Sequence, residues 1–150
     1  DAKASERRDA LMSEGAAKRV VAAMQAHAND ETKVAYAGCG AIGNLARSEN
    51  AADARASERR DALMSEGAAK RVVAAMQAHA NDAEVAREGF WTIIRLARSA
   101  NAADAIASER RVALRNEGAA ERLVAAMRVL AYGSAVARIG CEAIHSMLSD

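Results

Sequence analysis

Proline is absent from this 150-residue chain, and with it the residue that most firmly interrupts helix interiors. Aromatic residues make up only 3%. A core built on large rings is therefore excluded, and density has to come from the close approach of small side chains. The two cysteines, Cys39 and Cys141, occupy equivalent places in separate repeats. This argues against an intramolecular disulfide and for reduced, buried thiols in an intracellular protein, cytoplasmic or nuclear. No apolar run approaches a membrane span, and no signal-peptide pattern opens the sequence. A formal net charge of +1 speaks against non-specific nucleic-acid binding as the main task. The chain begins with Asp1 rather than Met, which reads as a fragment or a processed chain.

What is present favours helix. Hydrophobic residues are 51% of the chain, with Ala supplying a large share, and the 27% of charged residues are spread throughout rather than gathered in tails. Residues 4–30, ASERRDALMSEGAAKRVVAAMQAHAND, return letter for letter as residues 56–82, and a diverged third copy begins at Ala107. A fixed period of about 51 residues marks an array whose units cannot bury their apolar faces alone. The boundaries read as units 1–48, 49–99 and 100–150 of one repeat domain. Identity over so long a stretch means recent duplication or deliberate design.

The second unit shows the plan most clearly. Asn50 as N-cap, with Asp53 three residues on, predicts a first helix over 51–65, and Gly67 supplies the turn that ends it. Val72, Val73, Met76 and Ala80 at helical spacing predict a second helix over 68–79. Asn81 and Asp82 break and recap the chain. A third helix follows over 83–98, the most apolar of the three, with Val85, Phe90, Ile93, Ile94 and Leu96. The first unit repeats this with Val34, Cys39, Ile42 and Leu45, and the third with Val136, Ile139, Cys141, Ile144 and Met147.

These residues carry a resemblance. Gly15-Ala16-Ala17-Lys18-Arg19-Val20-Val21, Gly67-Ala68-Ala69-Lys70-Arg71-Val72-Val73 and Gly118-Ala119-Ala120-Glu121-Arg122-Leu123-Val124 look like the start of the second helix of the armadillo repeat. Gly89-Phe90-Trp91-Thr92-Ile93-Ile94-Arg95-Leu96 resembles that family's third helix, with Trp91 on its Trp position. In the first unit Asn44 falls on the family's Asn position. The resemblance covers all three units, although a unit of that family is about 42 residues long and its proline is replaced by Lys18, Lys70 and Glu121. It implies an all-α, right-handed solenoid of three stacked three-helix repeats whose third helices line a concave, peptide-binding groove.

On a helix, residues three or four apart share a face. The third helices then present one polar stripe per unit: Tyr36, Gly40, Asn44 and Arg47; Arg87, Trp91, Arg95 and Arg98; Arg138, Glu142, Ser146 and Ser149. The expected peptide-binding residues are Tyr36, Asn44, Arg87, Trp91, Arg95, Arg98, Arg138 and Glu142. Asn44 offers an amide to an extended backbone. Trp91, an exposed ring among arginines, can clamp aliphatic stems while the arginines attract carboxylates, which points to a protein or peptide partner of acidic character.

Other features read as structural. The pairs Arg7-Arg8, Arg59-Arg60 and Arg110-Arg111 have acidic neighbours and no interleaved aromatics, and read as a solvated face rather than a phosphate ladder. His27 and His79 sit near helix ends with Asp30 and Asp82, too thin a set for a metal. Met12, Met24, Met64, Met76, Met127 and Met147 fall at packing positions. Gly38, Gly40 and Gly43 loosen one third helix, so either a neighbouring backbone approaches there or something bulky is received. No Ser-His-Asp order, phosphate loop, HExxH or CxxC is present, so the expectation is a non-catalytic protein without a cofactor. The alternative is a self-assembling array that associates through uncapped ends to form a homo-oligomer.

Overall fold

The structure is a computed structural model that describes residues 2–50, 53–99, 104–130 and 133–149. Among these residues all regular structure is helical, with no strands, in keeping with the all-α expectation. The helices are α1 (Ala2–Ser13), α2 (Ala16–Ala26), α3 (Thr32–Leu45), α4 (Arg55–Ser65), α5 (Ala68–Ala78), α6 (Ala83–Ala97), α7 (Ala105–Asn116), α8 (Ala119–Val129) and α9 (Ser134–Leu148). In order they fall into three triplets. The third members lie side by side, with α6 packed along α3 on one side and α9 on the other.

Local chemistry explains the joints. Gly15, Gly67 and Gly118 take left-handed φ values of 82°, 89° and 87°, and each turns the first helix of its triplet directly into the second. Their amides donate to the carbonyls of Met12, Met64 and Arg115, closing the helix ends. Asp82 caps α6, its carboxylate accepting from the amides of Glu84 and Val85 at 2.9 Å. The second and third helices of the second unit thus lie within a residue of expectation. Its first helix does not. The predicted start at Ala51 lies outside the described residues, but α4 begins at Arg55 with no side-chain cap. The Asp53 carboxylate is turned to Arg59 and Ser5 instead.

Glycine in the third helices is a packing device. A Cβ on Gly89 would lie 2.6 Å from Met76 Sδ, and one on Gly140 2.6 Å from Met127 Sδ; Gly38 receives Met24 in the same manner. Each second helix therefore sinks a methionine into a notch in the third helix of its own triplet. The notch is repeated in every unit, and what it receives is a side chain, not backbone. Between triplets, Thr92 Oγ1 on α6 donates to the buried carbonyl of Cys39 on α3 at 2.7 Å, in the space left by Gly43. Cys39 is buried, as expected, but Cys141 is exposed, because among the described residues no further helix packs over that face of α9.

The arginine pairs overturn the reading of a solvated face. Arg59 and Arg60 are 3% and 0% exposed, and Arg110 and Arg111 are also buried. Arg59 donates through Nε to the Leu45 carbonyl and through Nη2 to the Arg47 carbonyl, while Arg60 Nε takes the Ala46 carbonyl between them. One unit further on, Arg110 binds the carbonyls of Leu96 and Arg98, and Arg111 that of Ala97. Each pair thus caps the C-terminus of the preceding unit's third helix, where carbonyls lack helical partners and the dipole favours a cation. Carboxylates complete the seam. Arg59 meets Asp9 at 2.6 Å and Asp53 at 2.7 Å; Arg110 meets Asp61 at 2.6 Å and Asp104 at 2.8 Å. Arg7, on the first described helix, is exposed, and no third helix precedes it among the described residues. Identical local sequence therefore yields opposite burial, decided by position in the chain.

Candidate functional site: the face of the third helices

Two adjoining recesses open over α3, α6 and α9, and Trp91 and Arg95 line both. The first, of about 480 Å³, is bounded by Arg47 and Ser48 after α3, Arg60 from α4, Trp91, Arg95 and Arg98 from α6, and Glu142, His145 and Ser146 from α9. The second, of about 730 Å³, is bounded by Tyr36, Gly40 and Asn44 on α3 and by Arg87, Glu88, Trp91 and Arg95 on α6. The spacing that puts these side chains on one helical face also sets them along the furrow, since α6 presents Arg87, Trp91 and Arg95 at successive turns and Arg98 follows in extended backbone just past its end.

Tyr36 and Asn44 are exposed at the α3 wall. The Asn44 side-chain oxygen accepts from Arg95 Nη1 at 3.4 Å, linking the two walls. Trp91 is half-buried rather than exposed and packs against the core. The Arg95 guanidinium lies over its ring, 5.8 Å from the centroid, within cation–π range. Arg87 is half-buried beside Glu88 at 3.6 Å. Arg98 ends α6 with an exposed side chain, and its carbonyl is held by Arg60 and Arg110. Glu142 lines the first recess, but Arg138 lines neither; it pairs with Glu142 one turn along α9.

Ser48, Glu88 and His145 also line the recesses without having been expected there, but Arg60 is the most consequential contributor missed. Its guanidinium is anchored to Ala46 and Arg98 at 3.0 and 3.1 Å and forms part of the recess floor. Burial, and then the neighbouring charges of Arg110 and Arg98, push its pKa down to about 10, so it stays cationic at neutral pH. Burial followed by the charge of Arg47 likewise lowers Arg95. A signal for Arg60 existed in the repeat itself. The Arg-Arg pair persists in the third unit, although Asp61 is replaced there by Val112 and Met64 by Arg115.

Among the described residues no group of three His, Cys, Asp or Glu is placed to hold a metal ion. His79 Nδ1 lies 3.2 Å from Thr32 Oγ1, a contact between α3 and the end of α5. No helix among the described residues is long and apolar enough to cross a membrane. No protein-family model matches the sequence, and neither the curated proteins nor the solved structures give a significant match to the chain.

Proposed function

We propose that the chain is a right-handed α-solenoid of three armadillo-like units and acts as a non-catalytic protein-interaction scaffold. In this reading it holds an extended segment of another protein along the face made by α3, α6 and α9. The observation that carries the reading is the furrow: two recesses joined at Trp91 and Arg95, walled by polar groups on otherwise apolar helices. Asn44 and Tyr36 at one wall offer hydrogen bonds to a passing backbone, and the arginines favour an acidic segment. Selection from a random peptide library, followed by titration of the selected sequences against Trp91 fluorescence, tests it. Binders should weaken at least tenfold on Trp91→Ala or Asn44→Ala. A library that yields no binder, or binders indifferent to both substitutions, refutes it.

The second reading, end-to-end assembly of copies, draws on exposed apolar groups at the two ends: Leu11 on α1, Val124 on α8 and Leu148 on α9. The ends do not match, however. Where Asp9 and Asp61 receive an arginine, the third unit has Val112. The Met147 carbonyl, counterpart of the Leu45 and Leu96 carbonyls, already accepts from Arg115 at 2.7 Å. Leu148, 68% exposed, stands where Ala46 and Ala97 are fully buried. A second copy offering Arg7 to this end meets Val112 where Asp9 and Asp61 stand in the other units, and a Met147 carbonyl that is already engaged, so the peptide-binding reading is preferred.

A further inference from the structure

The first recess is more cationic than capture of an ordinary acidic side chain requires. Arg47, Arg95 and Arg98 line it, and the fully buried Arg60 adds its charge from beneath. Among the described residues Arg60, Arg95 and Arg98 form no ion pair, and Arg47 has only a 3.9 Å approach to Glu49, which Arg8 already holds at 2.6 Å. The one carboxylate at the rim, Glu142, is engaged by Arg138 outside the recess. The carbonyls of Ala46 and Arg98 fix the Arg60 guanidinium in place, so this positive charge cannot swing out to solvent. Bringing like charges together in a partly desolvated hollow is unfavourable, and an entering anion recovers that energy.

We infer that this recess is a phosphate site, which takes a phosphorylated side chain carried by the segment docked along the furrow; the inference rests on the peptide-binding reading above. Charge selects phosphate over carboxylate, and the space admits it. A phosphomonoester carries close to two negative charges and three acceptor oxygens, matching several convergent guanidinium forks, where a carboxylate presents one charge and two oxygens. At about 480 Å³ the hollow admits a phosphorylated side chain together with part of its backbone. The second recess continues past Trp91 to Asn44 and Tyr36, so a chain entering at the phosphate has a path onward. A nucleic-acid phosphate fits less well, because only two rings, Trp91 and His145, line the first recess, too few for a run of stacked bases.

The test uses the full 150-residue chain and three degenerate peptide libraries that differ only at a fixed central residue: phosphoserine, serine or glutamate. Inorganic phosphate serves as competitor and a single-stranded oligoribonucleotide as a further arm. The phosphoserine pool should bind about tenfold more tightly than the serine or glutamate pools, and millimolar inorganic phosphate should erase that preference. In the Arg95→Gln/Arg98→Gln variant all peptide binding weakens and the ratio between pools falls to about one. Arg128→Gln, on the exposed side of α8, leaves the ratio as in the wild type. Equal binding of the three pools overturns the phosphate site while leaving the scaffold reading standing. Binding of inorganic phosphate with no peptide bound overturns the scaffold reading instead. Tighter binding of the oligoribonucleotide than of the phosphoserine pool overturns both.

Discussion

The Arg59 guanidinium lies 2.6 Å from the Asp9 carboxylate, across the seam between two units whose sequences are identical around both residues. Arg7, the counterpart of Arg59, reaches only the carbonyl of Lys3 on its own helix. The same letters are a buried capping group in one unit and a surface group in the other.

That contrast can be measured directly. Arg59→Ala or Arg110→Ala leaves a buried aspartate and two carbonyls at the end of a third helix without their donor. Each should cost about 3 kcal/mol or more in urea unfolding. Arg7→Ala should stay within about 0.5 kcal/mol of the parent. Equal losses at Arg7 and Arg59 would show that the seam does not depend on the arginine.

The seam also sets an acid limit. Burial alone would raise the Asp53 pKa, but hydrogen bonds from Arg59 and Ser5 outweigh it and hold the carboxyl below its ordinary 3.8. A depressed folded pKa means that the unfolded chain binds the proton first. This contribution to stability is complete above 3.8 and is lost as pH falls through the lower folded value. Asp53→Asn should therefore be less stable than the parent at neutral pH, the gap closing in melts taken at progressively lower pH.

The glycines of the third helices should respond in opposite directions. Gly89→Ala drives a methyl group into Met76 and should destabilise by about 1–3 kcal/mol, less when combined with Met76→Ala. At Gly40 the nearest atom to a new Cβ is Glu88 Oε2, at an ordinary 3.5 Å. Gly40→Ala should then raise stability by up to about 1 kcal/mol through helix propensity.

Restoring a carboxylate at position 112 and freeing the Met147 carbonyl should promote association between copies of this chain. The triple variant Val112→Asp/Arg115→Met/Leu148→Ala gives the third unit the face of the second. Light scattering over a concentration series should show head-to-tail oligomers of this variant and a monomeric parent. Oligomers of the parent would revive the assembly reading.

The two thiols should differ sharply. Burial, with the Glu88 charge second, pushes the Cys39 pKa up to about 12, whereas Cys141 is exposed. A thiol reagent at neutral pH should label one cysteine per native chain, and a Cys141→Ser variant only after unfolding.

Much of this was written locally in the sequence. Gly67 and Asp82 set the helix joints through groups within a few residues, which is why α5 and α6 lie close to their expected limits. The polar stripe on α6 follows from helical spacing alone, so Arg87, Trp91 and Arg95 were legible as one face, whereas Arg98 joins them from extended backbone just past the helix. The burial of Arg59 and Arg60 was not, because their partners come from 14, 38 and 50 residues away and become neighbours only when one unit packs on another. The same blindness hid Arg60 at the floor of the first recess. Asp53 was misjudged for the converse reason: it has the chemistry of a helix cap, but the stronger claim on it comes from Arg59.

The claim that the α3, α6 and α9 face holds another polypeptide is most directly tested by amide chemical-shift mapping of the isotopically labelled chain during titration with a library-selected peptide. Shifts should concentrate at Tyr36, Asn44, Trp91, Arg95 and Glu142, with the amides of α1, α4 and α7 largely unmoved. Saturable shifts confined to those first helices, with Trp91 and Asn44 unchanged, would contradict it.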